Sequence, residues 1–290
     1  MKIIGSMEIN TVVGCVNRCD YCPQGPFVAA YGKVSDVRKM TLDTFFICME
    51  KIPKNISIHL SGMAEPFLNP GCTEMITHAA EAGYDVEVYT TLVGMPLSAV
   101  DAMERASISK VVVHLPSPAH DSRIRVDRSF LMKLQRISDS RIKDIILVSL
   151  GRPDPRFEIV VRRPIRVDMP IDRAGNLGGG QGAERVQKRK GNLKCGSCGD
   201  RLNHNVLLPN GDVLLCCMDY RMRHVVGNLL ESDYEDLFTS EASRRVQEGL
   251  LDDTADILCR TCHNSKQTDA WHRIGRQVRR MLGGRGSAHG

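Results

Sequence analysis

The stretch Cys15-Val16-Asn17-Arg18-Cys19-Asp20-Tyr21-Cys22 decides the fold and chemistry to expect of this 290-residue chain. Its cysteines have the spacing C-x3-C-x2-C and follow an apolar, strand-like segment directly. Three thiolates on one tight loop suit an iron–sulfur cluster in which one iron lacks a protein ligand, whereas structural zinc usually has four protein ligands. A zinc ion completed by a distant cysteine or histidine is the alternative. The spacing therefore favours a cluster with one iron open to a small molecule.

Short segments rich in valine and isoleucine alternate with helical patterns as far as residue 172. We predict strands at residues 7–13, 56–61, 86–92, 110–115 and 145–150, with a sixth inside 157–168. Helices are predicted at residues 41–50, 71–82, 97–105 and 129–137. This alternation predicts an α/β fold with a parallel sheet and right-handed crossovers. The pattern alone leaves open whether the sheet is doubly wound or forms a partial barrel.

The composition is that of a globular protein, with 42% hydrophobic and 5% aromatic residues. No run approaches the ~18–20 apolar residues of a membrane span, and no basic segment precedes an apolar one at the start. We therefore expect a protein of the reducing cytoplasm that does not enter a membrane. The formal net charge is +5, and residues 263–290 account for all of it with six basic residues and one acidic residue. A basic tail attracts anionic partners or forms a solvated helix face.

The second part of the chain differs from the first in composition and pattern. Residues 173–194 are glycine-rich and then basic, which is typical of a linker. Asn210-Gly211 between residues 204–209 and 212–217 is a strong hairpin signal. Helices are predicted at residues 235–250 and in the basic tail, where Trp271 begins an apolar stripe. We therefore predict a core domain at 1–172, a linker at 173–194 and a small domain at 195–290.

Eight cysteines lie outside the first loop. Cys48 and Cys72 occupy helical patterns and are expected to be buried thiols. The others are clustered late in the chain: Cys195, Cys198, Cys216, Cys217, Cys259 and Cys262. Two pairs of thiolates can hold a tetrahedral zinc or a 4Fe–4S cluster. Cys216 and Cys217 are adjacent in a predicted strand and are expected to face opposite ways, so only one of them should bind the metal.

The loop at 15–22, with Tyr21 before its last cysteine, resembles the cluster motif of radical S-adenosylmethionine (SAM) enzymes. Residues 61–70, Ser-Gly-Met-Ala-Glu-Pro-Phe-Leu-Asn-Pro, resemble the family's G-G-E-P loop, although Met-Ala stands where Gly-Gly is usual. Thr90-Thr91 stand where the family usually has T-N-G, and the asparagine is absent. The resemblance implies a partial (β/α)6 barrel of the TIM type and a cluster at Cys15, Cys19 and Cys22. It also implies a set of SAM-binding residues: Tyr21, Gly62, Glu65, Pro66, Thr90, Thr91 and Ser117.

Two of these assignments have a physical reason, since Gly62 permits close backbone approach and the Glu65 carboxylate can pair with the α-ammonium of SAM. His114, near the end of the fourth strand, is a further candidate for contact with ribose or substrate. The family's chemistry implies that a reductant such as flavodoxin or ferredoxin reduces the cluster. Reductive cleavage of SAM then gives a 5′-deoxyadenosyl radical, which abstracts a hydrogen atom from a small-molecule or peptide substrate.

The late cysteines resemble the twitch domain, a short form of the SPASM domain with one auxiliary 4Fe–4S cluster. The resemblance implies four ligands: Cys198, Cys216, Cys259 and Cys262. Cys195 is the alternative to Cys198, because both precede the hairpin at a suitable spacing. Arg173-Ala-Gly-Asn at the junction and Gly227-Asn228 after the hairpin also resemble this subgroup. Two clusters are therefore implied for the chain.

Three functions follow as hypotheses. The first is dehydrogenation of a small polar molecule of the sugar or aminocyclitol kind, with the auxiliary cluster accepting an electron. The second is epimerisation or cross-linking of a peptide or sugar, with Cys217 as the catalytic hydrogen donor. From other classes, the chain could be a zinc-ribbon nucleic-acid binder that uses the basic tail, or a non-catalytic accessory scaffold. The zinc-ribbon reading leaves the first three cysteines and Glu65-Pro66 without a purpose, so nucleic acid is not the expected partner.

Overall fold

A computed structural model describes residues 2–177, 187–199 and 201–268. Its first part is an alternation of strands and helices, which confirms the predicted α/β class. The strands are β1 (Gly5–Ile9), β2 (Ile56–Leu60), β3 (Val86–Thr90), β4 (Lys110–Leu115), β5 (Asp144–Leu150) and β6 (Ile165–Asp168). The helices are α1 (Gln24–Tyr31), α2 (Leu42–Lys51), α3 (Cys72–Glu81), α4 (Ser98–Arg105), α5 (Arg128–Ser138) and α6 (Pro155–Val160).

The second part, as far as residue 268, contains short strands and one α-helix among its described residues. These are β7 (Leu193–Cys195), β8 (His204–Leu207), β9 (Asp212–Leu214), β10 (Val225–Asn228), α7 (Glu241–Gly249) and β11 (Ser265–Gln267). Short 3-10 helices occur at Pro66–Leu68, Tyr234–Phe238 and Leu258–Thr261. The predicted hairpin is present as β8 and β9, which pair antiparallel on either side of Asn210-Gly211.

One sheet connects the two parts. Its strand order is β10-β9-β8-β1-β2-β3-β4-β5-β6, and β1 to β6 all pair in parallel. β8 pairs in parallel with β1, Ser6 opposite His204, so the hairpin extends the core sheet. β7 and β11 form a separate antiparallel pair. The late cysteines are thereby placed beside the first strand of the core, a proximity that the linear sequence does not reveal.

The helices begin where side chains can satisfy their free backbone N–H groups. Thr41 caps α2 by accepting a hydrogen bond from the N–H of Thr44 at 3.0 Å, and Asp127 caps α5 through the N–H of Phe130 at 2.9 Å. Apolar side chains of these helices pack on the sheet in one main core, which includes the buried thiols of Cys48 and Cys72. No helix in the described ranges is long and apolar enough to cross a membrane.

Several element boundaries differ from the sequence predictions. Strand β1 ends at Ile9, because Val12 leaves the sheet and forms a lone bridge with Lys39. The sixth strand predicted inside 157–168 is β6 at Ile165–Asp168, and residues 157–160 before it belong to α6, which begins at Pro155 under an Asp154 cap. The helix predicted at 235–250 is interrupted before residue 241. Ser240 accepts a hydrogen bond from the N–H of Ser243, and α7 begins directly after it. The sequence did not predict two of the helices, α1 and α6, or the strands β7, β10 and β11.

Residues 178–186 of the predicted linker and the predicted basic terminal helix lie outside the described residues. The predicted domain limits therefore stay predictions.

Candidate cofactor and substrate site

The first cysteine loop lies where the parallel strands end. It follows β1 and leads into α1, which begins two residues after Cys22. Cys15, Cys19 and Cys22 all border one cavity of about 250 Å³. Loops at the carboxyl ends of parallel strands are the usual position of active sites in α/β folds. The structure thus brings the three predicted ligands together at a suitable edge of the sheet.

The other walls of this first cavity come from neighbouring strands. Six of the seven residues predicted to contact SAM border it: Tyr21, Gly62, Glu65, Pro66, Thr90 and Thr91. His114 of β4 borders it too, and burial, followed by the charge of Arg173, lowers the pKa of its imidazole to about 4. Ser117 is the exception, because its hydroxyl donates to the carbonyl of Arg152 at 2.7 Å and it borders neither of the cavities described here.

Glu65 is the most highly hydrogen-bonded side chain of the site. Its Oε1 accepts from the Thr90 hydroxyl at 2.8 Å and the Phe67 N–H at 3.2 Å. Its Oε2 accepts from the hydroxyl and the N–H of Thr91 at 2.5 and 2.6 Å. Burial raises the pKa of Glu65, and these donors oppose the rise. A carboxylate has about four acceptor positions. Glu65 therefore ties the loop after β2 to the end of β3, and the chain's own donors occupy those positions.

Gly62 holds the same loop close to β1. Its φ is +100°, and a Cβ at this position would lie 2.9 Å from Asn10 Oδ1. Asn10 Oδ1 also accepts a hydrogen bond from the N–H of Met63 at 2.8 Å. Only glycine combines this backbone conformation with this close approach. Glycine is thus required at position 62 because this loop packs closely against Asn10, at the start of the cysteine loop.

The three thiols have a polar and partly buried environment. Burial raises the pKa of Cys19 to about 11 and also raises that of Cys15. The Cys22 sulfur lies 3.3 Å from the Gln24 amide nitrogen and 3.7 Å from the Tyr220 hydroxyl. Hydrogen bonds to ligating sulfur tune an iron–sulfur cluster. Tyr220 comes from the region after β9, so the second part of the chain contributes to the surroundings of the first cysteine loop.

A second cavity of about 350 Å³ lies beside the first. All six late cysteines border it: Cys195, Cys198, Cys216, Cys217, Cys259 and Cys262. The N–H of Cys198 donates to the Cys195 sulfur at 2.9 Å, so both candidates for the fourth ligand are adjacent. The choice between them stays a prediction.

Cys216 and Cys217 differ in a way that the sequence did not indicate. Strand β9 ends at Leu214, and the chain then turns, with the N–H of Asp219 bonded to the Cys216 carbonyl. The two thiols therefore do not lie on a strand, and alternation along a strand does not apply to them. Cys217 nevertheless borders both cavities, whereas Cys216 borders only the second.

Four residues form a wall shared by the two cavities: Glu8, Ser61, Tyr89 and Cys217. The Glu8 carboxyl is hydrogen-bonded to the Cys217 thiol, and Ser61 donates to it at 3.5 Å. Burial raises the pKa of Glu8, opposed by the Cys217 hydrogen bond and the charge of Arg173. Sequence reasoning missed Glu8, although an acidic residue inside a buried strand was a visible signal.

Several side chains on the strands next to the shared wall are polar. Tyr89 donates to Glu87 at 2.7 Å, and Lys110 pairs with the same carboxylate at 2.7 Å. His59 lies 3.7 Å from Glu87, and burial lowers its pKa to about 4 despite the carboxylate. His59 borders the second cavity together with Ser6 and His204. These groups offer hydrogen bonds to a polar molecule.

The donor sets fit iron–sulfur clusters. Within the described ranges, no three histidine, cysteine or acidic side chains converge as ligands of a single ion. The thiols instead surround cavities, as a multi-iron cluster requires, because each cysteine then binds a different iron. Four thiols, Cys217 among them, border the first cavity and six border the second, which supplies enough sulfur for a cluster in each.

Comparison with known proteins gives the same picture. Residues 188–263 match the SPASM family model, described as an iron–sulfur cluster-binding domain. This match removes the support for a zinc ribbon at the late cysteines. No curated protein sequence matches the chain significantly.

Solved structures match nearly the whole chain. BtrN in complex with AdoMet and 2-DOIA is similar over 92% of this chain and 95% of its own, with 16% identity and a TM-score of 0.58. Streptococcus suis SuiB bound to the precursor peptide SuiA is similar over 85% and 67%, with 14% identity and a TM-score of 0.59. The protein anSMEcpe with bound AdoMet and Cp18Cys peptide is similar over 89% and 86%, with 11% identity and a TM-score of 0.57. Residues 188–263 thus match the SPASM iron–sulfur cluster-binding domain, as the late cysteines predicted, and the chain shares the fold of BtrN, SuiB and anSMEcpe.

Proposed function

We propose that this chain is a radical SAM enzyme that dehydrogenates a small polar molecule, with an auxiliary cluster as electron acceptor. When bound, a reduced cluster at Cys15, Cys19 and Cys22 supplies the electron for SAM cleavage, and the resulting radical abstracts the substrate hydrogen. A cluster at the late cysteines would take up the second electron, and the substrate radical would lose a proton in the same oxidation, so that the product lacks two hydrogens. The reductant is a one-electron donor such as flavodoxin or ferredoxin.

The shared wall is the observation that carries this proposal. A substrate against Glu8, Ser61, Tyr89 and Cys217 would face the SAM-binding cavity on one side and the auxiliary thiols on the other. Hydrogen abstraction and electron removal require this order of groups. Residues of β1, β2 and β3 and of the loop after β9 build the wall, so it is fixed by the sheet.

The polar interior supports a small hydroxylated substrate. Glu8 and Tyr89 of the wall, with His59 beneath it, offer a carboxyl, a phenol and an imidazole within about 350 Å³. BtrN holds 2-DOIA together with AdoMet, whereas SuiB and anSMEcpe hold peptides. A peptide substrate is therefore the second candidate for the molecule that is oxidised.

Cys217 favours a second candidate reaction. Its thiol borders both cavities and is hydrogen-bonded to Glu8, and burial raises its pKa well above the ordinary value, so it stays protonated. A protonated thiol beside the substrate can donate a hydrogen atom to a substrate radical. Epimerisation or cross-linking would then replace dehydrogenation.

The test is anaerobic reconstitution followed by iron analysis and a SAM cleavage assay with dithionite. We expect about eight irons per chain and 5′-deoxyadenosine, since two 4Fe–4S clusters hold eight irons. Replacing Cys15, Cys19 and Cys22 by alanine should leave about four irons and abolish cleavage, because the auxiliary site keeps its own ligands. Cys48→Ala, in the core and outside both linings, is the matched control and should keep both.

Three results would contradict the proposal. SAM cleavage that survives the triple replacement would show that the first cysteine loop is not needed for the reaction. Zinc in place of iron would favour the zinc reading, and clusters without any cleavage would favour the accessory scaffold. With a substrate that stimulates 5′-deoxyadenosine formation, solvent deuterium in the product of the wild type but not of Cys217→Ala would identify the second reaction. A product lighter by two hydrogens from both proteins would identify dehydrogenation.

A further inference from the structure

Gln24 is held beside the last thiol of the first cysteine loop by the backbone around it. It is the first residue of α1 and follows Cys22 by two positions. The N–H of Cys22 donates to the Cys19 carbonyl at 3.0 Å, and the N–H of Gln24 donates to the Cys22 carbonyl at 2.8 Å. These two bonds wind the chain tightly between the cysteine loop and the helix. The Gln24 side chain therefore starts close to the Cys22 sulfur.

The amide nitrogen of Gln24 contacts two acceptors. It donates to the Cys22 sulfur, with 3.3 Å between Nε2 and Sγ, and to the carbonyl of Met63. A sulfur that binds iron is a thiolate without a proton, and a carbonyl only accepts. The nitrogen of the amide, which carries two donors, must therefore face both groups, and the oxygen must point away from them. The two neighbours thus fix the orientation of the amide.

The amide oxygen of Gln24 is left without a partner. Oε1 is closed to solvent, and none of the described residues donates a hydrogen bond to it. A buried polar atom without a partner costs about 1–3 kcal/mol, which an apolar side chain of the same length would avoid. A neutral hydrogen bond contributes about 0.5–1.5 kcal/mol, and one to a charged group about 1.5–3 kcal/mol. The bond to an anionic sulfur is therefore the contact that best offsets the unpaired oxygen.

A donor on a ligating sulfur makes an iron–sulfur cluster easier to reduce. Reduction adds one electron, whose charge is shared by the thiolate sulfurs, so a hydrogen-bond donor stabilises the reduced state more than the oxidised state. The Tyr220 hydroxyl, 3.7 Å from the Cys22 sulfur, is a second and longer contact. Gln24 borders neither of the two cavities described above. Its side chain therefore acts on the Cys22 sulfur without lining the space for SAM or substrate.

We propose that Gln24 is a positioning residue of the first cluster, whose reduction potential it raises through the N–H on the Cys22 sulfur. This inference rests on the proposed function, because that function requires the first cluster to be reduced before SAM is cleaved. The electron comes from the one-electron donor, and no bond is formed or broken at Gln24. A less negative potential allows a weaker reductant to reduce the cluster.

Redox titration of the reconstituted protein, followed by the electron paramagnetic resonance of its reduced clusters, tests this inference. The triple alanine variant of Cys15, Cys19 and Cys22 gives the signal of the auxiliary cluster alone, which is subtracted. Gln24→Met removes the donor and should lower the equilibrium constant for reduction of the first cluster about 3- to 10-fold. At 59 mV per tenfold for one electron, the potential falls by about 30–60 mV. Gln24→Lys keeps a donor and adds a positive charge, so it should raise the potential above that of the wild type.

The controls separate this effect from a general disturbance of the fold. Gln135→Met makes the same replacement at an exposed position of α5 and should leave both potentials unchanged. The auxiliary cluster should also keep its potential in both Gln24 variants, because Gln24 does not border the second cavity. All variants are first checked for about eight irons per chain.

Three results would overturn the inference. The first is an equal potential of the first cluster in the wild type and Gln24→Met, and the second is an equal shift of both clusters. The third is a potential of Gln24→Lys that does not exceed the wild-type value, and this comparison decides alone if Gln24→Met loses iron. SAM cleavage by the dithionite-reduced wild type is measured on the same samples. Its absence would contradict the proposed function, whereas the potential differences would still test the role of Gln24.

Discussion

Replacement of Glu65 by glutamine tests whether this residue holds the site together or serves only to bind SAM. Each carboxylate oxygen accepts one backbone N–H and one hydroxyl. In Glu65→Gln one oxygen becomes an NH₂ group, which cannot accept a hydrogen bond. The hydroxyl of Thr90 or Thr91 can reorient, but the backbone N–H of Phe67 or Thr91 then has no acceptor, whichever way the amide is placed.

The expected loss of stability follows from these contacts. A buried N–H without a partner costs about 1–3 kcal/mol. Burial raises the pKa of Glu65, so the carboxylate is incompletely compensated and its neutralisation returns part of that cost. We therefore expect Glu65→Gln to lower the free energy of unfolding by about 1–2 kcal/mol in the absence of SAM. Glu65→Ala leaves all four donors unpaired and should lower it by about 3–5 kcal/mol.

Urea denaturation without SAM and calorimetric titration with SAM separate the two roles. A purely ligand-binding Glu65 would leave the stability of the SAM-free protein unchanged or higher and would weaken SAM binding alone. A structural Glu65 lowers stability first, and SAM binding weakens because Thr90 and Thr91 lose their positions. Glu74→Gln on the exposed side of α3 is the control and should change neither quantity. Unchanged urea midpoints for both Glu65 variants would refute this reasoning.

Two further replacements test the packing and the electrostatics of the cavities. Gly62→Ala should lower the free energy of unfolding by about 2–4 kcal/mol in urea denaturation, since its φ is +100° and its Cβ would meet Asn10 at 2.9 Å. Gly25→Ala in α1, with no atom within 4 Å of the added Cβ, should be neutral or stabilising, and equal losses for the two variants would contradict the packing argument. As the pH rises above 4.5, the melting temperature of Glu8→Gln should exceed that of the wild type by an increasing margin. Burial raises the pKa of Glu8, so its protonated form stabilises the folded chain at low pH and that contribution is lost as the pH increases. A melting-temperature difference between Glu8→Gln and the wild type that does not depend on pH would contradict this assignment.

The sequence predicted what depends on local spacing and periodicity. The six parallel strands and the hairpin at Asn210-Gly211 are confirmed. The loop of Cys15, Cys19 and Cys22 lies at the carboxyl end of β1, as its position after an apolar segment indicated. Each of these features is encoded within a few residues, by alternating side chains, turn residues or thiol spacing.

The sequence did not predict what depends on tertiary placement. Helix α1 was missed because its apolar residues show no periodic stripe, and only Phe27 and Tyr31 of this helix are buried. The turn after β9 was missed because Cys216 and Cys217 continue the apolar run of the strand, while the Asp219 carboxylate bends the chain by accepting from the N–H groups of Arg223 and His224.

The pairing of β8 with β1 explains why the sequence did not reveal the contacts between the most informative residues. Without this contact the late cysteines would form a separate unit, and Glu8 would be an isolated acid in a buried strand. With it, the loop after β9 brings Cys217 against Glu8 and Tyr220 against Cys22, from positions about two hundred residues away in the chain. Even where one partner stands out, as Glu8 does in a buried strand, no local pattern identifies the residue that it contacts. The shared wall is therefore a property of the sheet topology, and any change that displaces β8 from β1 should separate the two cavities before it disturbs either set of thiols.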